Sequence, residues 1–249
     1  MSQPMRTFLL VGLPYAAMLL FVAGVAWRAR RGVTISSFSS QILEGRWLVW
    51  GAVPFHLGIL TVFLGHVVPL LFPGAWQSLV SKRSALLTIE AVGMGAAMLT
   101  VVGLLALLAR RLGAAAVRRG SRAADVIVLV LLVAQGAMGL FIATMHRWGA
   151  VWSARTTTPY LWSIATLQPE PSFVAGAPLL VTLHIALAWI LLAFIPFTRL
   201  FHMFFFPVAY LWRRPQTVVW LKKKEEARVR AGGVVIVGAD HHPGEGSGI

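Results

Sequence analysis

The chain contains no cysteine, and only 8 of its 249 residues are acidic. Without a thiol there is no disulfide, no Cys-ligated iron–sulfur cluster, no Cys zinc site and no thioether-linked c-type haem. Charge of either sign is scarce: 12% of residues carry one, against about 25% in a soluble domain. An apolar excess takes its place, with 58% hydrophobic residues and a mean hydropathy of +0.77. That composition excludes an ordinary soluble enzyme of one or two domains. The few charges are lopsided, 22 Lys+Arg giving a net charge of +14 and a pI near 11.7. On a soluble protein such a balance points to nucleic acid; here the placement of the cations decides otherwise.

A helix crossing a bilayer needs about 20 mostly apolar residues. Five runs qualify: Phe8–Trp27, Trp47–Phe72, Ala85–Ala109, Val126–Met145 and Pro178–Phe206. The first ends in Val-Ala-Gly-Val-Ala and resembles a signal peptide. Its apolar stretch exceeds the roughly 7–15 residues of a signal h-region, so it reads as a retained span. Five spans put the termini on opposite sides. Seventeen of the 22 cations then share one side: Arg28, Arg30, Arg31 and Arg46; Arg110, Arg111, Arg118, Arg119 and Arg122; and Arg199, Arg213, Arg214, Lys222, Lys223, Lys224, Arg228 and Arg230. Arg6, Lys82, Arg83, Arg147 and Arg155 fall on the other. Because cytoplasmic loops collect Lys and Arg, the expected fold is an all-α integral membrane bundle with its N-terminus outside and its C-terminus cytoplasmic. Residues 1–212 form the spanning domain, and residues 213–249 a basic and then glycine-rich tail. Trp27, Trp47, Trp50 and Trp212 sit near the expected cytoplasmic boundaries, and Trp76, Trp148, Trp152 and Trp162 near the outer ones, as interface belts do. The segment from His146 to about Ala177 reads as a long outer loop. Asp240-His241-His242 reads as solvated tail rather than a metal site.

Ionisable residues inside a membrane are costly and mark function by default. His56 and His66 lie in the second run, His184 in the fifth, and His202 towards the inner end of the fifth. The two runs are antiparallel, so His56 matches His202 in depth and His66 matches His184. His184 and His202 are 18 residues apart, five whole turns on one helix, although Pro196 between them predicts a kink. The helical rises between the members of each run are about 15 Å and about 27 Å. Two depth-matched imidazole pairs suit two bis-histidine haems, b-type because no Cys-x-x-Cys-His is present, carrying electrons across most of the membrane. Unrelated histidines bonded to helix carbonyls are the bland alternative. His146 reads as an interfacial residue. The glycines of spans two to four, Gly58, Gly65, Gly93, Gly95, Gly103, Gly136 and Gly139, are as well explained by helix packing as by a macrocycle.

These motifs resemble a known family. The run SSQILEGRWLVWGAVPFHLGILTVFLGHVVPLL (39–71) resembles the second span of the γ subunit of membrane-bound respiratory nitrate reductase. AADVIVLVLLVAQGAMGL (123–140) resembles that family's fourth span, and FIPFTRLFHMFFFPVAYL (194–211) the inner end of its fifth. The resemblance implies a di-haem cytochrome b in a prokaryotic cytoplasmic membrane that oxidises menaquinol or ubiquinol. It implies His56 and His202 as axial ligands of the inner haem iron, and His66 and His184 as those of the outer haem. It also implies Lys82, just before span three, and Gly65, beside His66, as the quinol site. Glu90 departs from the pattern, where a small residue is expected. Standing seven residues after Arg83, it reads as that arginine's ion-pair partner, with proton uptake from quinol as the lesser reading. A chain without cysteine must hand its electrons on, so the implied partners are an iron–sulfur subunit and a molybdopterin catalytic subunit; no nucleic acid is expected. The basic cytoplasmic segments would face those subunits or anionic lipid. A related cytochrome b of another complex, such as a nitrite oxidoreductase or a heterodisulfide-type reductase, and a cofactor-free scaffold or transporter stand as alternatives.

Overall fold

No water reaches a bilayer core, so each backbone N–H and C=O there must be paired within the chain, and helices achieve this locally. The computed structural model describes residues 2–30, 46–119, 121–146 and 149–204, all within one unit, Met1–Phe205. Every regular element among them is helical. Five are long and apolar enough to cross a membrane: Gln3–Arg30, Leu48–Leu71, Arg83–Gly113, Ala123–Met145 and Leu179–Phe197. Residues 213–249, including Asp240, His241 and His242, lie outside the described residues, as do Arg147, Trp148 and Trp212 and the side chain of Trp47.

The contacts between spans fix their order. Span two packs on three, three on four, four on five, and five on one. Asp125 meets Arg111 near one end of the bundle and Gly136 meets Val101 further along, so spans three and four run antiparallel. Spans two and three approach most closely. A Cβ built on Gly58 would lie 2.5 Å from the Ala96 carbonyl oxygen, and one on Gly103 2.5 Å from the Phe55 nitrogen. Only glycine permits that approach, the small-residue packing expected where hydrocarbon offers no hydrophobic drive between helices. Gly65, Gly93 and Gly95, by contrast, face open space. Spans two and five are not close-packed neighbours. The outward surface is apolar, with Leu19, Val22, Leu57, Leu60, Phe63 and Val102 more than 45% exposed. Such a surface is matched to lipid.

Two features differ from the sequence expectation. The fifth span is not one helix to Phe206. Its α-helix ends at Phe194, a 3-10 turn covers Ile195–Phe197, Thr198 is extended, and a second 3-10 segment covers Arg199–Phe204. Pro196 stands at the break, where its missing N–H takes one bond from the ladder, and the chain leaves helical geometry at the extended Thr198. Turn counting from His184 to His202 therefore does not apply. Pro54 and Pro69, by contrast, lie inside an unbroken helix, Arg46–Leu71.

The second difference is the expected outer loop, which is a helical cap. Helices Gly149–Arg155 and Thr157–Ala165 and a 3-10 turn, Pro171–Val174, close one end of the bundle together with helix Pro73–Val80. Two buried apolar clusters lie here: Leu10, Tyr160, Ile164, Val174, Ala177, Val181 and Ile185 form one, and Trp76, Val80, Leu86 and Ala154 the other. Side chains pin the cap to span backbones. Tyr160 Oη donates to the Leu10 carbonyl at 2.9 Å, and Trp162 Nε1 donates to Leu70 at 2.9 Å. Trp76 Nε1 donates to Ala150 at 3.1 Å, Tyr15 Oη to Ile164 at 3.3 Å, and the Arg6 guanidinium to Ala175. Leu10 sits in a π-helical turn, Phe8–Gly12, a local widening of the first span. Burial pushes the Tyr160 hydroxyl up to about 12, so it stays a donor. Trp76 and Trp162 thus serve as cap fasteners, whereas Trp27 and Trp50, 45% and 75% exposed at the opposite end, face outward as belt residues do.

Candidate functional site

The four span histidines stand in two groups. At the end of the bundle away from the cap, the rings of His56 and His202 lie 6.3 Å apart between centroids, inclined at 65°. His56 Nδ1 donates to the Ala52 carbonyl at 2.7 Å, and His202 Nδ1 donates to Arg199 at 2.6 Å. A carbonyl only accepts, so each Nδ1 carries a proton, and in the neutral ring Nε2 is then the lone-pair nitrogen. A metal-bound imidazole is tied this way at its second nitrogen, and so is a helix histidine that only satisfies its own N–H, so the bond is common to both readings and the meeting of the two rings is what sets this pair apart. His56 and His202 also share the wall of a cavity of about 220 Å³, with Phe55, Arg110, Arg111, Asp125 and Arg199 among its lining. Three guanidiniums against one carboxylate make that wall net positive.

Towards the cap, His66 repeats the arrangement, its Nδ1 donating to Val62 at 2.7 Å. His66 lies within electrostatic reach of His184. His184 differs. Its Nε2 is 3.3 Å from Gln135 Nε2, while its Nδ1 and the Gln135 Oε1 are both buried without a hydrogen-bond partner. Buried polar atoms are normally satisfied. Two orphans on facing side chains mark a spot that its own residues do not complete. Gly139 floors it: a Cβ there would come within 3.1 Å of His184 Cε1.

The sequence-expected quinol residues are less drawn together. Lys82 is exposed at the N-cap of span three, and no hydrogen bond or ion pair among the described residues joins it to His66. Gly65 is exposed beside His66. His146 is exposed at the C-cap of span four. Glu90 takes a partner other than the expected Arg83: its Oε1 accepts the N–H of Ala150 at 2.9 Å, holding the first cap helix against span three. Two residues escaped sequence reasoning. Asp125 pairs with Arg111 at 2.7 Å and Arg199 at 3.1 Å, and Gln135 faces His184. A signal was present for Asp125, which with Glu90 is one of only two acids within the helical spans.

Among the described residues no three His, Cys, Asp or Glu side chains cluster to hold a metal ion. Paired imidazoles alone suit a metal whose remaining ligands come from a macrocycle. A family profile described as nitrate reductase gamma subunit matches residues 6–221. The chain belongs to that family. Among curated members, the nitrate reductase gamma chain of Bacillus subtilis is 31% identical over 207 residues, covering 81% of this chain and 92% of the relative. The respiratory nitrate reductase 1 gamma chain of Escherichia coli is 31% identical over 214 residues, 82% of this chain and 93% of that one. The nitrate reductase-like protein NarX of Mycobacterium tuberculosis is 33% identical over 207 residues, 80% of this chain but only 32% of NarX, so the chain spans about a third of that relative's length.

Within this family member, Glu90 is testable as a fastener. Glu90→Ala removes the acceptor for Ala150, at a cost of about 1–3 kcal/mol, and amide exchange across Gly149–Arg155 rises accordingly. Glu90→Gln keeps Oε1 and leaves exchange nearly unchanged. Equal acceleration in both variants would show that the charge, not the hydrogen bond, holds the helix.

Proposed function

We propose that this chain is the membrane cytochrome b of a respiratory nitrate reductase. It oxidises quinol, menaquinol or ubiquinol, at its capped end and delivers electrons at the opposite end to an iron–sulfur subunit, which feeds a molybdopterin catalytic subunit. Family membership supports the assignment. The single observation that carries it is the meeting of His56, from span two, with His202, from the segment after span five, their ring centroids 6.3 Å apart.

The residues fit two b haems, one for each histidine pair. His56, His66 and His202 would offer Nε2 as donor, His184 would do so by giving up its Gln135 contact, and at the inner pair the cavity's guanidinium surplus suits a ligand bearing carboxylates. At the outer pair, the orphaned atoms of His184 and Gln135 fit a site that a bound group completes. When bound, the haems supply one-electron carriers at two depths. The chain's own residues do the rest. His56, His66 and His202 hold their rings through their own helices, so little rearranges when a ligand arrives. Gly139 leaves room for the His184 ring. Lys82, at the capped end, offers an ammonium to a quinol oxygen, and Gly65 lets a flat ring approach His66.

In this reading the capped end faces outside and the basic end the cytoplasm, so protons from quinol leave outward while electrons move inward. The cation distribution supports that orientation. A cysteine-free chain makes it testable with single thiols. An impermeant maleimide added to intact cells should label Gln168→Cys, and Ser121→Cys only after permeabilisation; the reverse labelling would invert the topology. Ligand assignment is tested separately. Replacing His56 or His202 should abolish one b-haem signal in redox-titrated difference spectra and leave the other, and replacing His66 or His184 should abolish the second. Loss in any other pairing contradicts the assignment.

A further inference from the structure

We propose that Asp125 is a positioning residue for the inner histidine pair, acting on His202 through Arg199. The inference rests on the haem reading above but concerns a residue which that reading leaves idle. His202 is not on the regular part of span five. It sits in the 3-10 segment Arg199–Phe204, beyond the break that Pro196 imposes and after the extended Thr198. A segment cut off from the α-helical ladder needs another anchor to keep a side chain aimed. Among the described residues one carboxylate supplies it. Asp125 Oδ1 lies 3.1 Å from Arg199 Nε, and the Arg199 carbonyl in turn accepts from His202 Nδ1 at 2.6 Å. The residue held by the carboxylate is thus the residue that orients the imidazole.

Asp125 is itself fixed. It stands in the first turn of span four, where its Oδ2 accepts the Arg122 backbone N–H at 3.2 Å and meets Arg111 of span three at 2.7 Å. Its side chain is 8% exposed. Three spans therefore converge on one carboxylate at the mouth of the cavity that His56 and His202 line. A solvent-exposed ion pair would be worth little. Here the carboxylate and Arg111 are 8% and 14% exposed, so that pair is costly to break, while Arg199 is 51% exposed and is held by geometry more than by burial, so removing the charge releases its guanidinium.

The test uses the full complex in its membranes, read by the two b-haem signals and by chain abundance rather than turnover alone. Asp125→Asn should weaken retention of the inner haem about tenfold or more, the scale of outer-shell changes at metal ligands, while the outer haem and the amount of inserted chain stay at the wild-type level. Asp125→Glu should restore the inner signal. Arg199→Ala should reproduce the Asn phenotype, Arg199→Lys should soften it, and the Asp125→Asn/Arg199→Ala double variant should be no worse than either single change. Inner haem unchanged in Asp125→Asn overturns the relay. Equal loss of both haems together with inserted chain overturns it too, since Asp125 would then be a structural clamp only. A wild-type complex lacking two b haems would sink the haem reading itself, a result separable from either of these.

Discussion

The short hydrogen bond from a histidine Nδ1 to a carbonyl of its own helix is the interaction on which the site depends. An imidazole among apolar helices faces two penalties, an unsatisfied N–H and an undefined ring orientation. One bond removes both. His56, His66 and His202 each make it, and each is left with a bare Nε2 pointing away from its own backbone. His184 stands apart, held through Nε2 by Gln135 with its Nδ1 unpartnered. The two pairs therefore differ in how they are built, although both consist of imidazoles from spans two and five.

Around those rings the helices do two opposite things. Spans two and three close to glycine-limited contact, while spans two and five stay apart, bridged at one level by His56 and His202. The tightest apolar packing lies under the cap, and the polar network lies at the other end, around Asp125. The bundle is thus fastened at both ends. In the proposed reading quinol works at the capped end and electrons leave at the basic one.

Much of this was legible in the sequence because hydrophobic length and helical span are tied by geometry. Five apolar runs became five long helices, with boundaries moved by a few residues except in the fifth, whose α-helix ends at Phe194 rather than running on to Phe206. The depth match of His56 with His202 followed from antiparallel topology alone, and the rings do meet. What the sequence hid was irregular or non-local. Pro54 and Pro196 look alike in sequence, yet only the second ends an α-helix, because the backbone after it turns away towards Asp125. The cap read as a loop because its short helices are stabilised by tryptophan and tyrosine bonds to distant carbonyls rather than by local periodicity. Glu90 found Ala150, 60 residues on, instead of Arg83 one helical face away. Partner choice at that distance is a tertiary property.

The central claim is that the four imidazoles serve as two haem-binding pairs. Pyridine haemochrome analysis of the purified wild-type chain, set against its protein concentration, measures this most directly. The account predicts two b-type haems per chain. A chain that is fully inserted and folded but carries no haem would contradict it.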